Sequence, residues 1–196
     1  MTARPAAPDP WHARVGVVLA GGRATRVDGE DKAMFEVDGV PLLAAAVTAL
    51  SACDEILIVG PRAGRPRFDD VRWIREDPPF AGPVAALSCA LAHTGAAELL
   101  VLPADLPGAS DAVALLLDAD LGENGEGVVL VDDSGIPQWL TARYRTAALS
   151  AAIASADWAS VRGVATRLRL RQLPAPASAT RDVDTWDDLR LATKSV

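Results

Sequence analysis

Val15–Leu19 (VGVVL), Glu55–Val59 (EILIV), Glu98–Leu102 (ELLVL) and Gly127–Val131 (GVVLV) are apolar at nearly every consecutive position. A strand with one wet face alternates apolar and polar residues; unbroken runs of four to six read as strands buried on both faces. Helical segments fall between them: Pro41–Ala52, with Pro41 suited to a first helical position, Val84–Thr94, and a segment capped by Ser110 and running through Ala119. Val71–Arg75 reads as a further strand. The alternation predicts an α/β fold whose mainly parallel sheet is covered by helices on both faces. After Gly127 the pattern shifts. An Asp132–Gly135 turn (DDSG) lets Trp139–Tyr144 pair antiparallel to 127–131. Helices at about 146–155 and 159–167 follow, then a strand at Arg169–Leu173 and a loop at Pro174–Ser178. Thr185 with Asp188 forms a capping box that opens a last helix to Thr193.

The 196 residues are 50% hydrophobic, enough for one core, so residues 14–196 are expected to form a single domain behind a Pro/Ala-rich lead-in at 1–13. A formal charge of −7 excludes the broad basic footprint of a general nucleic-acid binder. No apolar run approaches the roughly 18–20 residues that span a bilayer, and the short Val15–Ala20 stretch is no signal peptide. Cys53 and Cys89 form no CxxC and fit a reducing cytoplasm. His12 and His93 are too far apart for ligand spacing, which argues against structural zinc and a histidine-based triad.

In a sheet of this kind, ligands bind beyond the carboxyl ends of the strands. Two loops lie there. The first, residues 19–33 (LAGGRATRVDGEDKA), fits neither GxGxxG nor GxxxxGK[ST]. Its chemistry is still that of a phosphate cradle: Gly21 and Gly22 let backbone N–H groups approach an anion, and Arg26 and Lys32 add charge. The same residues also suit a surface turn, with Asp31 as a carboxylate that orients Lys32. The second loop, Pro103–Pro107 (PADLP), ends an apolar strand with a lone Asp105. Such a carboxylate needs a cation or hydrogen bonds, and magnesium takes one or two carboxylates plus substrate phosphates; an Asx turn is the alternative. Glu76-Asp77 precedes Gly82-Pro83, where Asp77 could accept from a base or ribose and Gly82 could allow close approach. Asp182–Thr185 offers a second acid near a metal, or simply a helix cap.

These motifs together carry a resemblance. LAGGRATRVDGEDKA is similar to LAGGxSxRMGxDKA of the molybdenum cofactor guanylyltransferase (MobA-like) family of nucleotidyltransferases. PADLP resembles its PCDxP, GPVAAL its GPLAGL, and DVDTWDDL its D-x-D-TPEDL, in the same order from Val15 onward. The chain departs from the pattern at Ala24 for Ser, Val27-Asp28 for Met-Gly, Ala104 for Cys and Ala86 for Gly. The resemblance implies a three-layer αβα sandwich of the nucleotide-diphospho-sugar transferase type, a Rossmann-like, mostly parallel sheet with an antiparallel addition. It implies transfer of GMP from GTP to the terminal phosphate of molybdopterin with release of pyrophosphate. Leu19, Ala20, Gly21, Gly22, Asp77 and Gly82 would then bind the nucleotide, and Lys32 and Arg26 its phosphates. Asp105 would bind Mg2+, with Asp184 as a second metal residue. GTP and molybdopterin are the implied partners, with transient contact to proteins that handle the molybdenum cofactor. Trp139 or Tyr144 could stack on a pterin, and Arg143 and Arg145 could meet its phosphate. A cytidylyltransferase or sugar-phosphate nucleotidyltransferase of the same fold, or a degenerate nucleotide-binding paralogue, is the alternative.

Overall fold

The computed structural model describes residues 13–21, 31–155, 160–183 and 185–194. Its core is a seven-stranded sheet in the order β5-β4-β1-β6-β8-β7-β9. The strands are β1 (Arg14–Leu19), β4 (Glu55–Val59), β5 (Val71–Ile74), β6 (Glu98–Pro103), β7 (Gly127–Val131), β8 (Pro137–Arg145) and β9 (Leu170–Pro174). All neighbours pair parallel except β8, which runs antiparallel to both β6 and β7. The four apolar runs are all strands, and the expected antiparallel addition is the β7–β8 hairpin. A two-stranded hairpin, β2 (Glu36–Val37) and β3 (Val40–Pro41), was not expected from sequence. Asp38 and Gly39 at its tip have positive φ, the backbone that a two-residue hairpin turn requires.

Both faces of the sheet are covered. On one lie α1 (Leu42–Ala49), α3 (Ala109–Asp118) and α6 (Ala177–Thr180); they bury Leu43, Ala46, Val113, Leu116 and Ala179 against Val18, Ile58, Leu100 and Leu130. On the other lie α2 (Pro83–Ala92), α4 (Thr146–Ala154) and α5 (Val161–Ala165), whose Leu87, Ala90, Leu149 and Val164 pack on Val17, Leu57, Val101 and Val129. Each strand thus feeds alternate residues to the two layers, which is why its sequence is continuously apolar. The last helix, α7 (Trp186–Lys194), is opened by the expected capping box: the Asp188 carboxylate accepts from Thr185 N at 2.8 Å, and Asp188 N donates to Thr185 Oγ1 at 3.2 Å. Trp186 stacks on Phe35 at 4.8 Å between centroids and ties α7 to the chain just past Lys32. Among the described residues no helix is long and apolar enough to cross a membrane.

Several boundaries differ from the sequence reading. Pro41 lies in β3 and precedes α1, which ends at Ala49 and tightens into a 3-10 turn over Leu50–Ala52. Gly108, not Ser110, occupies the N-cap of α3, placing Ser110 inside the helix. The expected loop at Pro174–Ser178 gives way to the single turn α6, whose apolar Ala179 is fully buried.

Candidate active site

Four parallel strands end in one row. Ile74 of β5 pairs with Val59 of β4, Val59 with Leu19 of β1, and Leu19 with Pro103 of β6. The row continues one residue further, because Gly60 N donates to Ile74 O (3.0 Å), Ala20 N to Val59 O (2.9 Å) and Ala104 N to Leu19 O (3.1 Å). The residues that follow each strand therefore emerge at a single edge. β1 is the switch point: the chain moves from β1 to β4 and β5 on one side, then returns to β6 on the other. The connections after β1 and β6 part there and leave a crevice.

That crevice is a cavity of about 450 Å³, which takes in Leu19, Ala20, Gly21, Lys32, Gly82 and Asp105. The structure thus gathers six of the ten candidate residues around one space. Gly22, Arg26 and Asp184 lie outside the described residues. Asp77 is exposed and off the cavity wall, whereas its neighbour Glu76 is buried and on it. Gly82 takes φ +97° at the N-cap of α2, a conformation that L side chains rarely adopt, and Ala86 fills the wall one turn on.

Lys32 rides on a 3-10 turn, Lys32–Met34, which Asp31 caps by accepting from Ala33 N at 3.2 Å. Asp31 is itself gripped by Arg65, from the loop after β4, whose guanidinium reaches both carboxylate oxygens at 2.7 and 2.8 Å. The Arg65 side chain is 5% exposed and also lines the cavity. Asp105 is anchored through its backbone, where its carbonyl accepts from Val183 N at 2.9 Å. This places Asp182, one residue earlier, on the same wall.

The charges on the wall do not balance. Among the described residues it carries four carboxylates, Asp31, Glu76, Asp105 and Asp182, against two cations, Lys32 and Arg65. Arg65 neutralises Asp31, so an anionic ligand there needs further positive charge. The described residues contain no group of three or more His, Cys, Asp and Glu that could hold a metal unaided. Two carboxylates facing a ligand-sized cavity are nonetheless the donor set magnesium uses when substrate phosphates complete its shell.

A second cavity of about 490 Å³ adjoins the first and shares Gly82, Pro83, Pro103, Leu140 and Asp182 with it. Trp139 is half-buried on its wall. The neighbouring candidates do not face it. Tyr144 is 1% exposed in the core, where its hydroxyl donates to Trp139 O at 2.6 Å. Arg143 is buried, donates to the Ala119 carbonyl and lies near Glu98. Arg145 donates to Gly125 O and Gly122 O. These three residues hold the sheet and its loops together, so stacking by Tyr144 and phosphate contact by either arginine are set aside. Burial lowers the Arg143 pKa, an effect opposed by the nearby Glu98 carboxylate, and raises that of Tyr144. Sequence reasoning missed Arg65 as a wall residue and named Asp77, whereas it is the neighbouring Glu76 that lines the cavity.

Known proteins share this fold. Over 123 residues the chain is 29% identical to a molybdenum cofactor guanylyltransferase of Serratia proteamaculans, covering 61% of each chain. Over 94 residues it is 39% identical to one of Shewanella amazonensis, covering 46% of this chain and 48% of that protein. The chain therefore spans about half to three fifths of the length of these relatives. Among solved structures, Rv0371c of Mycobacterium tuberculosis superposes with a TM-score of 0.73 at 23% identity, covering 94% of this chain and 98% of that one. A 2-C-methyl-D-erythritol 4-phosphate cytidylyltransferase of Thermus thermophilus does so at 0.68 and 16%, covering 92% and 97%. The MobA-like NTP transferase domain matches residues 16–172, most of the chain. On this match the chain belongs to the MobA-like NTP transferase family.

Proposed function

We propose that the protein transfers GMP from GTP to the terminal phosphate of molybdopterin and releases pyrophosphate. The observation that carries this reading is the convergence of Gly21, Lys32 and Asp105 on one cavity beyond aligned parallel strands. The printed names of the relatives point the same way. In the reaction an oxygen of the acceptor phosphate bonds to the α-phosphorus, the bond from that phosphorus to the β-bridging oxygen breaks, and pyrophosphate leaves with the electron pair. The acceptor oxygen is already anionic, so no general base is required, and catalysis rests on positioning and charge.

The backbone of Leu19, Ala20 and Gly21 approaches the nucleotide closely. Lys32, fixed by the Asp31 cap and the Arg65 fork, neutralises phosphate charge, and Arg26 of the same loop adds to it. Asp105, with Asp182 on the same wall, would hold magnesium, which supplies further charge neutralisation at the phosphate oxygens. The adjoining cavity, with Trp139 on its wall, suits the acceptor because it opens beside Asp182 and Pro103.

Asp105→Ala and Lys32→Ala should each abolish pyrophosphate release from GTP and molybdopterin while leaving the circular dichroism spectrum unchanged. Near-wild-type turnover in either variant would sink the assignment. A wild-type enzyme that uses CTP in place of GTP would keep the transfer chemistry and change the product, as the fold shared with the cytidylyltransferase allows.

A further inference from the structure

The turn that carries Lys32 is too short to hold itself. It spans three residues, Lys32–Met34, and closes with two bonds, Met34 N to Asp31 O at 2.9 Å and Phe35 N to Lys32 O at 3.0 Å. A single 3-10 turn has poor hydrogen-bond geometry and does not repay its own nucleation, so its ends must be fixed from outside. The upstream end is fixed by the Arg65 fork on Asp31. The downstream end is Phe35, and its partners come from the far end of the chain.

Phe35 is buried with Leu42 and Val183 in a small cluster separate from the two sheet-face cores, with Val37 and Leu189 packed against it. The Trp186 ring stacks on Phe35 with 26° between their planes. Trp186 opens α7, and the capping box just before it fixes where that helix begins; Thr185 Oγ1 also donates to the Asp188 carboxylate at 2.7 Å. The same stretch reaches the other loop, because Val183 N donates to the Asp105 carbonyl. Val183 and Trp186, three residues apart, thus join the segment just past Lys32 to Asp105. They form a strut outside the cavity, since neither lines its wall. Trp186 is 40% exposed, so its ring does little for the core, and its described contact is the stack on Phe35.

We infer that Trp186 is a positioning residue of this site, its stack on Phe35 holding Lys32 at a fixed separation from Asp105. The inference rests on the nucleotidyl-transfer reading and deepens it. In that reaction negative charge grows on the pyrophosphate as its bond to the α-phosphorus breaks. A lysine stabilises that charge only if it already stands where the charge appears. Displacement of such a group by about 1 Å costs on the order of 100-fold in rate.

The test compares wild type, Trp186→Leu, Phe35→Leu, the double variant and Trp186→Phe. Leucine keeps an apolar side chain and removes the stack; phenylalanine keeps a ring. Each protein is measured for pyrophosphate release from GTP and molybdopterin, for GTP affinity by calorimetry with magnesium, and for its thermal unfolding midpoint. Trp186→Leu should lower kcat about 10- to 100-fold while the Kd for GTP changes less than about 3-fold, because the lost interaction strengthens only as the bond breaks. Trp186→Phe should regain most of the lost kcat. The double variant should lose no more than Phe35→Leu alone, since both substitutions remove one stack. Near-wild-type kcat in Trp186→Leu would overturn the inference, as would losses that multiply in the double variant or a Trp186→Phe protein no better than Trp186→Leu. A fall in kcat that only matches the fraction unfolded at the assay temperature would reduce Trp186 to a stabilising contact and overturn it too. In each of these cases the wild type still turns over, and the transfer reading stands. A wild-type protein that releases no pyrophosphate would overturn the transfer reading and the inference together.

Discussion

Gly60 follows β4 at φ +152°, where a Cβ would meet both the carbonyl carbon and the oxygen of Ala20 at 2.7 Å and Gly21 N at 3.0 Å. Comfortable contacts between such atoms are about 3.5–4.0 Å, so Gly60→Ala must open this junction by nearly 1 Å. The obstacle is backbone on both sides and cannot rotate away. Overpacking of this kind costs about 1–3 kcal/mol, and the unfavourable φ adds to it, giving about 2–5 kcal/mol in total. In a domain of this size that corresponds to a fall in Tm of about 5–15 °C. Because Ala20 and Gly21 line the cavity, the same displacement should weaken GTP binding about 10-fold or more. Thermal unfolding followed by circular dichroism, with calorimetry for GTP, measures both effects. Gly95→Ala, where a Cβ meets open space, is the control and should change neither. A Gly60→Ala protein within about 2 °C of wild type and with unchanged affinity would refute the argument that this junction is tight and sets the position of the glycine loop.

Three further outcomes are expected. Arg65→Met removes both bonds to Asp31 and should cost about 1–2 kcal/mol in urea unfolding, with a higher KM for the nucleotide as the Lys32 turn loosens; an unchanged midpoint and KM would show the fork to be idle. Tyr144→Phe deletes a buried hydroxyl bonded to Trp139 O and should cost about 1–2 kcal/mol, read from the same transition. Burial, partly offset by Arg14 and reinforced by Asp54, pushes the Cys53 thiol up to about 11 from 9.0. The folded protein holds this proton more tightly than the unfolded chain, so the thiol's contribution to stability is complete below pH 9 and is lost as pH rises towards 11. Urea midpoints should fall across that window and fall less in Cys53→Ala, and iodoacetamide should label native Cys53 slowly until the same pH range is reached.

The parallel framework was legible because strands buried on both faces cannot disguise themselves: Val15–Leu19 and Glu98–Leu102 have no polar face to offer. That Lys32 and Asp105 line the cavity could be anticipated because both lie in segments that follow such strands, Asp105 two residues beyond β6 and Lys32 at the end of the 19–33 segment. What escaped was set by side-chain parity and by unlike segments meeting. Glu76 and Asp77 are adjacent acids, and the direction in which the chain leaves β5 decides which one turns inward. Arg143 and Tyr144 were read as a possible binding face of β8, but β8 is an interior strand between β6 and β7, covered on both sides, so both are buried. The role of Arg65 depends on its meeting Asp31, 34 positions away, and no local pattern records that contact. α6 hid in a Pro/Ala-rich stretch whose single turn is held by burial of Ala179 rather than by helix propensity.

The bond from Val183 N to the Asp105 carbonyl has a consequence for how the protein becomes functional during its synthesis. The cavity wall draws on segments from Leu19 to Asp182, so it is completed only when nearly the whole chain has been made. A nascent chain halted after β6 already carries the glycine loop, Lys32 and Asp105, but it lacks β8, Leu140 and the Asp182 side of the wall. Such a chain should neither retain GTP nor release pyrophosphate. On the proposed transfer reading, completion of the fold and competence to bind nucleotide would arrive together.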